Sequence, residues 1–234
     1  MNLKNKVVVV TGASGGIGRE LVKKLKIEGA KIISVSRNNS DYNCDFNDQL
    51  KTKKIANQIS EEHKNIDILI NCAGIGIYKP LEDLTLEDWN RSMNICTTSS
   101  FLFMKNLLKN ISNSDNSLIL NIGSGAGAIP MAGRSAYCAA KFALRGITLS
   151  LAEEYKRIGK PKFCLITLGS TLTSFGPLSF EEKKLEMEKG KAYFTPEWVA
   201  EKLTEIIKDE NREMEYVLYP GDYGFGEWEV PEPK

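Results

Sequence analysis

The chain has 234 residues, of which 42% are hydrophobic and 26% are charged, a size and composition that fit one α/β domain with a complete core. Its 31 basic and 30 acidic residues leave a net charge of +1 without a basic patch or tail, which argues against nucleic acid as a partner. No apolar run approaches the ~20 residues of a membrane span, and the first predicted strand leaves no room for a signal peptide. We therefore expect one domain over residues 1–234 that does not bind a membrane.

Predicted strands and helices alternate along the chain, as a parallel sheet with helices on both faces requires. The predicted strands are 6–10, 31–36, 66–71, 117–122, 162–168 and 215–219, with a short one at 41–45. The predicted helices are 16–28, 48–62, 86–110, 135–157 and 196–208, with a short charged helix between Glu181 and Lys191. This pattern predicts a Rossmann-type, doubly wound α/β fold with about seven parallel strands.

Two irregular stretches, 124–134 and 169–195, each follow a predicted strand. In an open α/β sheet, ligands bind beyond the carboxyl ends of the strands. Both stretches should therefore overhang the ligand site, and we expect 169–195 to form a substrate lid.

The first strand runs directly into a glycine-rich turn, Thr11-Gly-Ala-Ser-Gly-Gly-Ile-Gly18, and a helical pattern follows. Glycine allows a tight turn and lets backbone N–H groups approach a pyrophosphate at a helix N-terminus. Strand, turn and helix in this order predict a dinucleotide site. Its expected contacts in this turn are Gly12, Ser14, Gly16, Ile17 and Gly18.

A second pattern, Tyr137-x-x-x-Lys141, places a phenol and an ammonium one helical turn apart on the same face. A phenol has a pKa near 10, and a nearby ammonium is expected to lower the pKa of Tyr137, which would make it an acid–base catalyst at neutral pH. The alternatives are a buried tyrosine bonded to a backbone carbonyl and a solvated helix lysine.

The five cysteines are scattered, and none forms a C-x-x-C pair: Cys44, Cys72, Cys96, Cys138 and Cys164. Free thiols of this kind are typical of a reducing compartment, so a cytoplasmic protein is expected. His63 is the only histidine, and the cysteines lack ligand spacing, so we expect no metal.

Together, these motifs closely resemble the short-chain dehydrogenase/reductase family over roughly positions 5–205. The matching positions, in the family's order, are Gly12, Gly16, Gly18, Asn71-Cys-Ala-Gly74, Asn94, Ser124, Tyr137, Lys141 and Gly169…Thr173. The resemblance implies that Tyr137 donates the proton in carbonyl reduction and that Ser124 stabilises the substrate oxygen. It also implies that Lys141 binds the nicotinamide ribose and that Asn94 supports a water-linked proton relay to this lysine.

The preferred cofactor is predicted from the end of the second strand, Ser34-Val-Ser-Arg37. Relatives that prefer NAD often carry an acidic residue where Ser36 stands, and this residue repels a 2′-phosphate. Here Arg37 follows a neutral serine, and its guanidinium geometry suits phosphate. We therefore expect NADP(H) rather than NAD(H). The other cofactor contacts that the resemblance implies are Asp45, Asn71, Ala73, Gly74, Tyr137, Lys141 and Thr173.

The predicted substrate pocket is mostly apolar, with Arg134 as its one basic candidate. Its expected lining is Ile75, Ile77, Tyr78, Ala126, Ala128, Ile129, Pro130, Met131, Arg134, Leu172, Phe175 and Phe194. This composition favours reduction of a small, largely apolar ketone or aldehyde, or of a 3-oxoacyl group. A catalytically inactive NAD(P)-binding regulator and an epimerase or dehydratase on the same fold are the alternatives.

The resemblance also implies a homodimer through helices 86–110 and 135–157, with a tetramer as the alternative. The aromatic tail 220–234 contains Tyr223, Phe225 and Trp228. We expect it either to be a flexible end or to fold over the pocket or a neighbouring subunit.

Overall fold

The structure is a computed structural model that describes residues 1–227. Its seven strands form one parallel sheet in the order β3-β2-β1-β4-β5-β6-β7. The strands are β1 (Val7–Thr11), β2 (Lys31–Ser36), β3 (Tyr42–Asn43), β4 (Ile68–Asn71), β5 (Leu118–Ile122), β6 (Lys162–Leu168) and β7 (Glu215–Leu218). The predicted Rossmann-type, doubly wound fold is confirmed. Chain order reverses between β1 and β4, and this switch point opens the crevice in which such sheets bind ligands.

Seven α-helices flank the sheet in the described part of the chain. They are α1 (Gly16–Ile27), α2 (Gln49–Glu62), α3 (Leu86–Met93), α4 (Ser99–Ser112), α5 (Ser135–Lys156), α6 (Phe180–Glu188) and α7 (Pro196–Lys208). The predicted helix 86–110 is interrupted, because a π-helical segment, Asn94–Thr98, separates α3 from α4. None of the helices formed by residues 1–227 is both long and apolar enough to cross a membrane.

The hydrophobic core has two layers, one on each face of the sheet. Val8 and Val10 of β1 pack with Leu21 of α1 on one face, while Val9 packs with Phe103 of α4 on the other. Successive side chains of a strand point to opposite faces, so the unbroken apolar run of β1 covers both layers. The sheet is thereby fixed between its helices, and its carboxyl edge has a rigid base.

Side-chain caps determine where several helices begin. The Thr85 hydroxyl accepts a hydrogen bond from the Asp88 N–H in a capping box at α3, and Ser179 makes the same contact with Glu182 at α6. Helix α1 differs, because it starts after Gly15 with no side-chain cap and no acidic residue in its first turn. Its N-terminal N–H groups therefore remain available to a ligand.

Candidate active site

A cleft of about 1630 Å³ runs along the carboxyl edge of the sheet and gathers most of the predicted site residues. Those that line it are Gly12, Ser14, Gly16, Ile17, Gly18, Arg37, Asp45, Ala73, Gly74, Ser124, Tyr137, Lys141 and Thr173. Asn71 and Asn94 do not line it. Pockets for a single small molecule are usually about 300–1,000 Å³. This cleft is larger, so it has room for a dinucleotide and a substrate at the same time.

The glycine turn is packed so closely that side chains are excluded. A Cβ on Gly18 would lie 2.2 Å from the Gly12 carbonyl oxygen, and one on Gly16 would lie 2.4 Å from Cγ2 of Thr173. Gly12 itself has a φ of +69°, a left-handed conformation that favours glycine. The turn therefore brings bare backbone to the cleft, and Thr173 closes over it.

These features fit the pyrophosphate of a dinucleotide. The uncapped N-terminus of α1 opens into the cleft beside this turn, and a helix N-terminus carries a partial positive charge. No acidic side chain in the first turn of α1 opposes an anion there. Gly12 to Gly18 are the residues that would hold the phosphates, and this assignment stays a prediction.

Asn71 lies away from the cleft, inside the sheet. Its side chain is buried and donates to Oδ1 of Asn121 at 2.8 Å, and Asn121 in turn donates to the Thr148 hydroxyl at 2.8 Å. This chain of hydrogen bonds joins β4, β5 and α5 beneath the site. The Asn71 side chain therefore supports the site through Asn121, and the cofactor contact predicted for this residue, where the backbone leaves β4, stays a prediction.

The far end of the cleft is formed by the turn after β2. The Ser36 hydroxyl donates to the Asn38 carbonyl at 2.9 Å, and its N–H donates to the Ser40 hydroxyl at 3.0 Å. These bonds fix the turn while the side chain of Arg37 stays exposed. Within residues 1–227, Arg37 makes no hydrogen bond or ion pair. Its guanidinium is available to an anion in the cleft, which the exposed Asp45 also lines.

Tyr137 lies between two aromatic rings at the opposite end of the cleft. Its ring centroid is 5.6 Å from that of Tyr78 and 5.7 Å from that of Phe175. Burial raises the pKa of the Tyr137 phenol well above its usual value, while its hydrogen bond with Ser124 and the charge of Arg134 oppose this shift. The expected lowering of this pKa is therefore wrong for this structure. Desolvation outweighs the favourable interactions with Ser124 and Arg134 and raises the pKa of the phenol.

Lys141 is buried beneath the tyrosine, one helical turn further along α5. Its ammonium donates to the Ile122 carbonyl at 2.9 Å and lies 5.9 Å from the Tyr137 ring centroid. A Cβ on Gly74 would lie 3.8 Å from Nζ, so the ammonium adjoins the end of β4. A buried ammonium rarely lacks a role, and this one retains donors that can reach a ligand in the cleft.

Ser124 follows β5 and has two contacts. Its Oγ accepts a hydrogen bond from the Ala126 N–H at 3.2 Å and also interacts with the Tyr137 hydroxyl. A hydroxyl that accepts one bond keeps its own proton to donate. The loop-capping role and the catalytic role of this serine are thus compatible.

Asn94 begins the π-helical segment between α3 and α4. Its side-chain amide donates to Oδ1 of Asn47 at 3.2 Å and to the Asn47 carbonyl at 3.3 Å. Segments of this kind are frequent at functional sites. The water-linked proton relay from Asn94 to Lys141 stays a prediction, because the Asn94 amide makes its hydrogen bonds with Asn47.

The substrate end of the cleft is more polar than predicted. Of the twelve expected lining residues, five line the cleft: Ile75, Tyr78, Met131, Arg134 and Phe175. Three lysines that the prediction omitted also line it: Lys183, Lys189 and Lys191. The Lys183 ammonium is buried and donates to the carbonyls of Thr173 and Phe175, and it thereby fixes the loop that lies against Tyr137. Lys183 lies in α6, and Lys189 and Lys191 follow the end of that helix. In the sequence, only the short charged pattern between Glu181 and Lys191 indicated this segment.

The described part of the C-terminal tail folds beside this end. Tyr223 and Phe225 pack on the stacked rings of Phe194 and Trp198. The N–H of Glu227 donates to the Gly190 carbonyl at 3.1 Å, and Glu227 lines the cleft. Through residue 227, the tail is therefore part of the cleft wall, and Trp228 lies outside the described residues.

Comparison with known proteins of similar sequence shows the family to which the chain belongs. The family model for short chain dehydrogenases matches residues 6–183. D-threitol dehydrogenase of Mycolicibacterium smegmatis is 30% identical over 170 residues, which cover 65% of each protein. The 3-oxoacyl acyl-carrier-protein reductase FabG of Vibrio cholerae is 33% identical over 168 residues, which cover 66% of this chain and 69% of that enzyme.

A solved structure extends the likeness over almost the whole fold. The ligand-free aldohexose dehydrogenase of Thermoplasma acidophilum aligns over 98% of both chains, with a TM-score of 0.80 and 25% identity. The chain belongs to the short-chain dehydrogenase family, whose members are oxidoreductases that use NAD(H) or NADP(H).

Proposed function

We propose that the protein is an NADPH-dependent reductase that converts a small, largely apolar ketone or aldehyde, or a 3-oxoacyl group, to the alcohol. The observation that carries the proposal is the buried Tyr137, which shares one cleft with Ser124, Lys141 and the bare glycine turn. The glycine turn, Arg37 and Lys141 would hold NADPH, which would supply the hydride for the carbonyl carbon. The Tyr137 hydroxyl donates its proton to the carbonyl oxygen, and the resulting phenolate regains a proton from solvent. Consumption of NADPH with formation of the alcohol tests the proposal.

The other two polar groups assist this transfer. The Ser124 hydroxyl donates a hydrogen bond to the substrate oxygen and so stabilises the negative charge that develops there, while the transferred proton comes from Tyr137. The Lys141 ammonium lies close enough to Tyr137 to stabilise the transient phenolate. In this scheme Lys141 also binds the ribose that carries the nicotinamide, and Asn94 supports the supply of protons.

The raised pKa of Tyr137 predicts a difference between the two directions of the reaction. Reduction needs the protonated phenol, so its rate should stay constant from about pH 6 to pH 9. Oxidation of the alcohol needs the phenolate, whose population rises tenfold per pH unit below the pKa. Initial rates measured in both directions across this range test the prediction. A reduction rate that falls through pH 7 would show a proton donor with a lowered pKa instead.

Preference for NADPH is supported by the neutral Ser36 and by the neighbouring Arg37, whose guanidinium has no hydrogen-bond or ion-pair partner within residues 1–227. A charge-assisted bond to the 2′-phosphate contributes about 1.5–3 kcal/mol. We therefore expect Arg37→Ala to weaken NADPH binding by about 10- to 150-fold and to leave NADH binding unchanged. Fluorescence titration with both cofactors measures this, and Arg19→Ala is the control, because Arg19 lies in α1 and does not line the cleft. Equal losses for both cofactors would remove the phosphate role of Arg37.

A homodimer through α4 and α5 is part of the proposal. Phe101 of α4 and Phe142 of α5 are 39% and 43% exposed, which is unusual for phenylalanine and supports a covered face. The free thiols support a reducing, cytoplasmic setting.

A further inference from the structure

The strongest unassigned feature at the substrate end is Arg134, which immediately precedes α5. Its guanidinium carbon lies 4.4 Å from the centroid of the Tyr78 ring, and that centroid lies 5.6 Å from the Tyr137 ring centroid. The guanidinium is therefore separated from the Tyr137 ring by no more than the sum of these distances. Arg134 also precedes Tyr137 by three residues, so both side chains reach the same part of the cleft.

Arg134 has no acidic partner within residues 1–227. Its one hydrogen bond there goes from Nη1 to the sulfur of Met131 at 3.3 Å, and a thioether is a weak acceptor. The guanidinium is only partly exposed and stacks on an aromatic ring, so it has lost much of its hydration without gaining a counter-ion. Such a group gains most from an anion that enters the cleft.

The neighbouring charges do not neutralise Arg134. Glu186 accepts from Lys191 at 2.8 Å and from the Tyr193 hydroxyl, so this carboxylate is already bonded. Lys183 donates to two backbone carbonyls, which leaves it as a structural cation. Among these groups, Arg134 is the cation whose donors remain unsatisfied.

We propose that Arg134 determines substrate specificity by binding one carboxylate of an oxoacid whose carbonyl group lies at Tyr137 and Ser124. This inference rests on the proposed function and refines it. The substrate would carry one charge, and the rest of it would be apolar and would contact Tyr78, Met131 and Phe175. The Arg134 guanidinium matches one negative charge and can bind a carboxylate through two parallel hydrogen bonds. Because Arg134 and Tyr137 lie close together, the carbonyl and the carboxylate of the substrate should be separated by only a few bonds.

The test compares 4-oxopentanoate with its methyl ester, which has the same carbonyl and no charge. Calorimetric titration into the complex with NADP⁺ measures binding alone, because the oxidised cofactor cannot reduce a ketone. We expect the acid to bind at least tenfold more tightly than the ester, with a preference that decreases as ionic strength rises. Arg134→Met should abolish the preference, and Arg134→Lys should retain part of it.

Arg157→Met removes an exposed arginine at the other end of α5 and should behave as the wild type. Equal binding of acid and ester by the wild type, or an equal loss of both in Arg134→Met, would overturn the proposal. Tighter binding of hydroxyacetone phosphate than of 4-oxopentanoate would overturn the assignment of a carboxylate. The same titrations without cofactor test Arg134 by itself. An acid preference with no NADPH-dependent turnover would contradict the proposed function and leave the anion site intact.

Discussion

Tyr137→Phe should lower kcat for carbonyl reduction by about 10²- to 10⁴-fold while NADPH binding stays within twofold of the wild type. The magnitude is that of a general acid removed from its reaction. Phenylalanine keeps the ring that contacts Tyr78 and Phe175, so the aromatic packing of the cleft survives and only the hydroxyl is lost. Single-turnover rates and cofactor titration measure the two quantities separately.

Tyr155→Phe is the matched control, because Tyr155 packs on Phe163 away from the cleft. It should retain full activity. Unchanged turnover in Tyr137→Phe would remove the proposed proton donor. A loss of both turnover and NADPH binding would instead show that this hydroxyl organises the cofactor site.

Gly18→Ala should weaken NADPH binding by about 100-fold. Its Cβ would lie 2.2 Å from the Gly12 carbonyl oxygen and 2.9 Å from the Gly12 carbonyl carbon, both of which are backbone atoms that cannot rotate away. The turn must therefore move by about 1 Å, and displacements of this size in a binding site have effects of about this magnitude. Overpacking should also lower the free energy of unfolding by about 1–3 kcal/mol. Cofactor titration and denaturant unfolding measure both effects.

Gly146→Ala is the control substitution. A Cβ on Gly146 meets no atom within 4 Å, and the residue lies inside helix α5, where alanine is favoured over glycine by about 0.5–1 kcal/mol. This variant should bind NADPH normally and unfold at a higher denaturant concentration. If both glycine variants bound NADPH equally well, the tight packing of the turn would not be required for the cofactor.

Local patterns were sufficient to predict the fold. The apolar run of β1 and the glycine turn after it fix a strand, a turn and a helix through short-range geometry, so their prediction needs no knowledge of distant residues. The same is true of Tyr137 and Lys141, since their spacing along one helix brings them to the same face. The π-helical break at Asn94 was missed, because it depends on packing between α3, α5 and the segment itself.

Sequence patterns say less about side chains whose role depends on burial. Asn71 follows a strand like its neighbours, and only the structure shows that its amide bonds to Asn121. The pKa of Tyr137 was predicted from one nearby charge, whereas desolvation by the surrounding rings decides its direction. The sequence also does not show that Lys183 is bonded to two backbone carbonyls, whereas Arg134 has only the sulfur of Met131 as a hydrogen-bond acceptor within residues 1–227. These properties are set by long-range contacts that a pattern along the chain does not contain.

The most direct test of the account is NADPH consumption by the wild-type protein against ketones, aldehydes and 3-oxoacyl thioesters, with NADH in parallel and with identification of the product. We predict turnover of at least one carbonyl, a preference for NADPH, and one alcohol formed per NADPH oxidised. Saturable NADPH binding without net oxidation on any carbonyl in the panel would contradict the proposed reductase, and it would favour a nucleotide-binding regulator or an epimerase on the same fold.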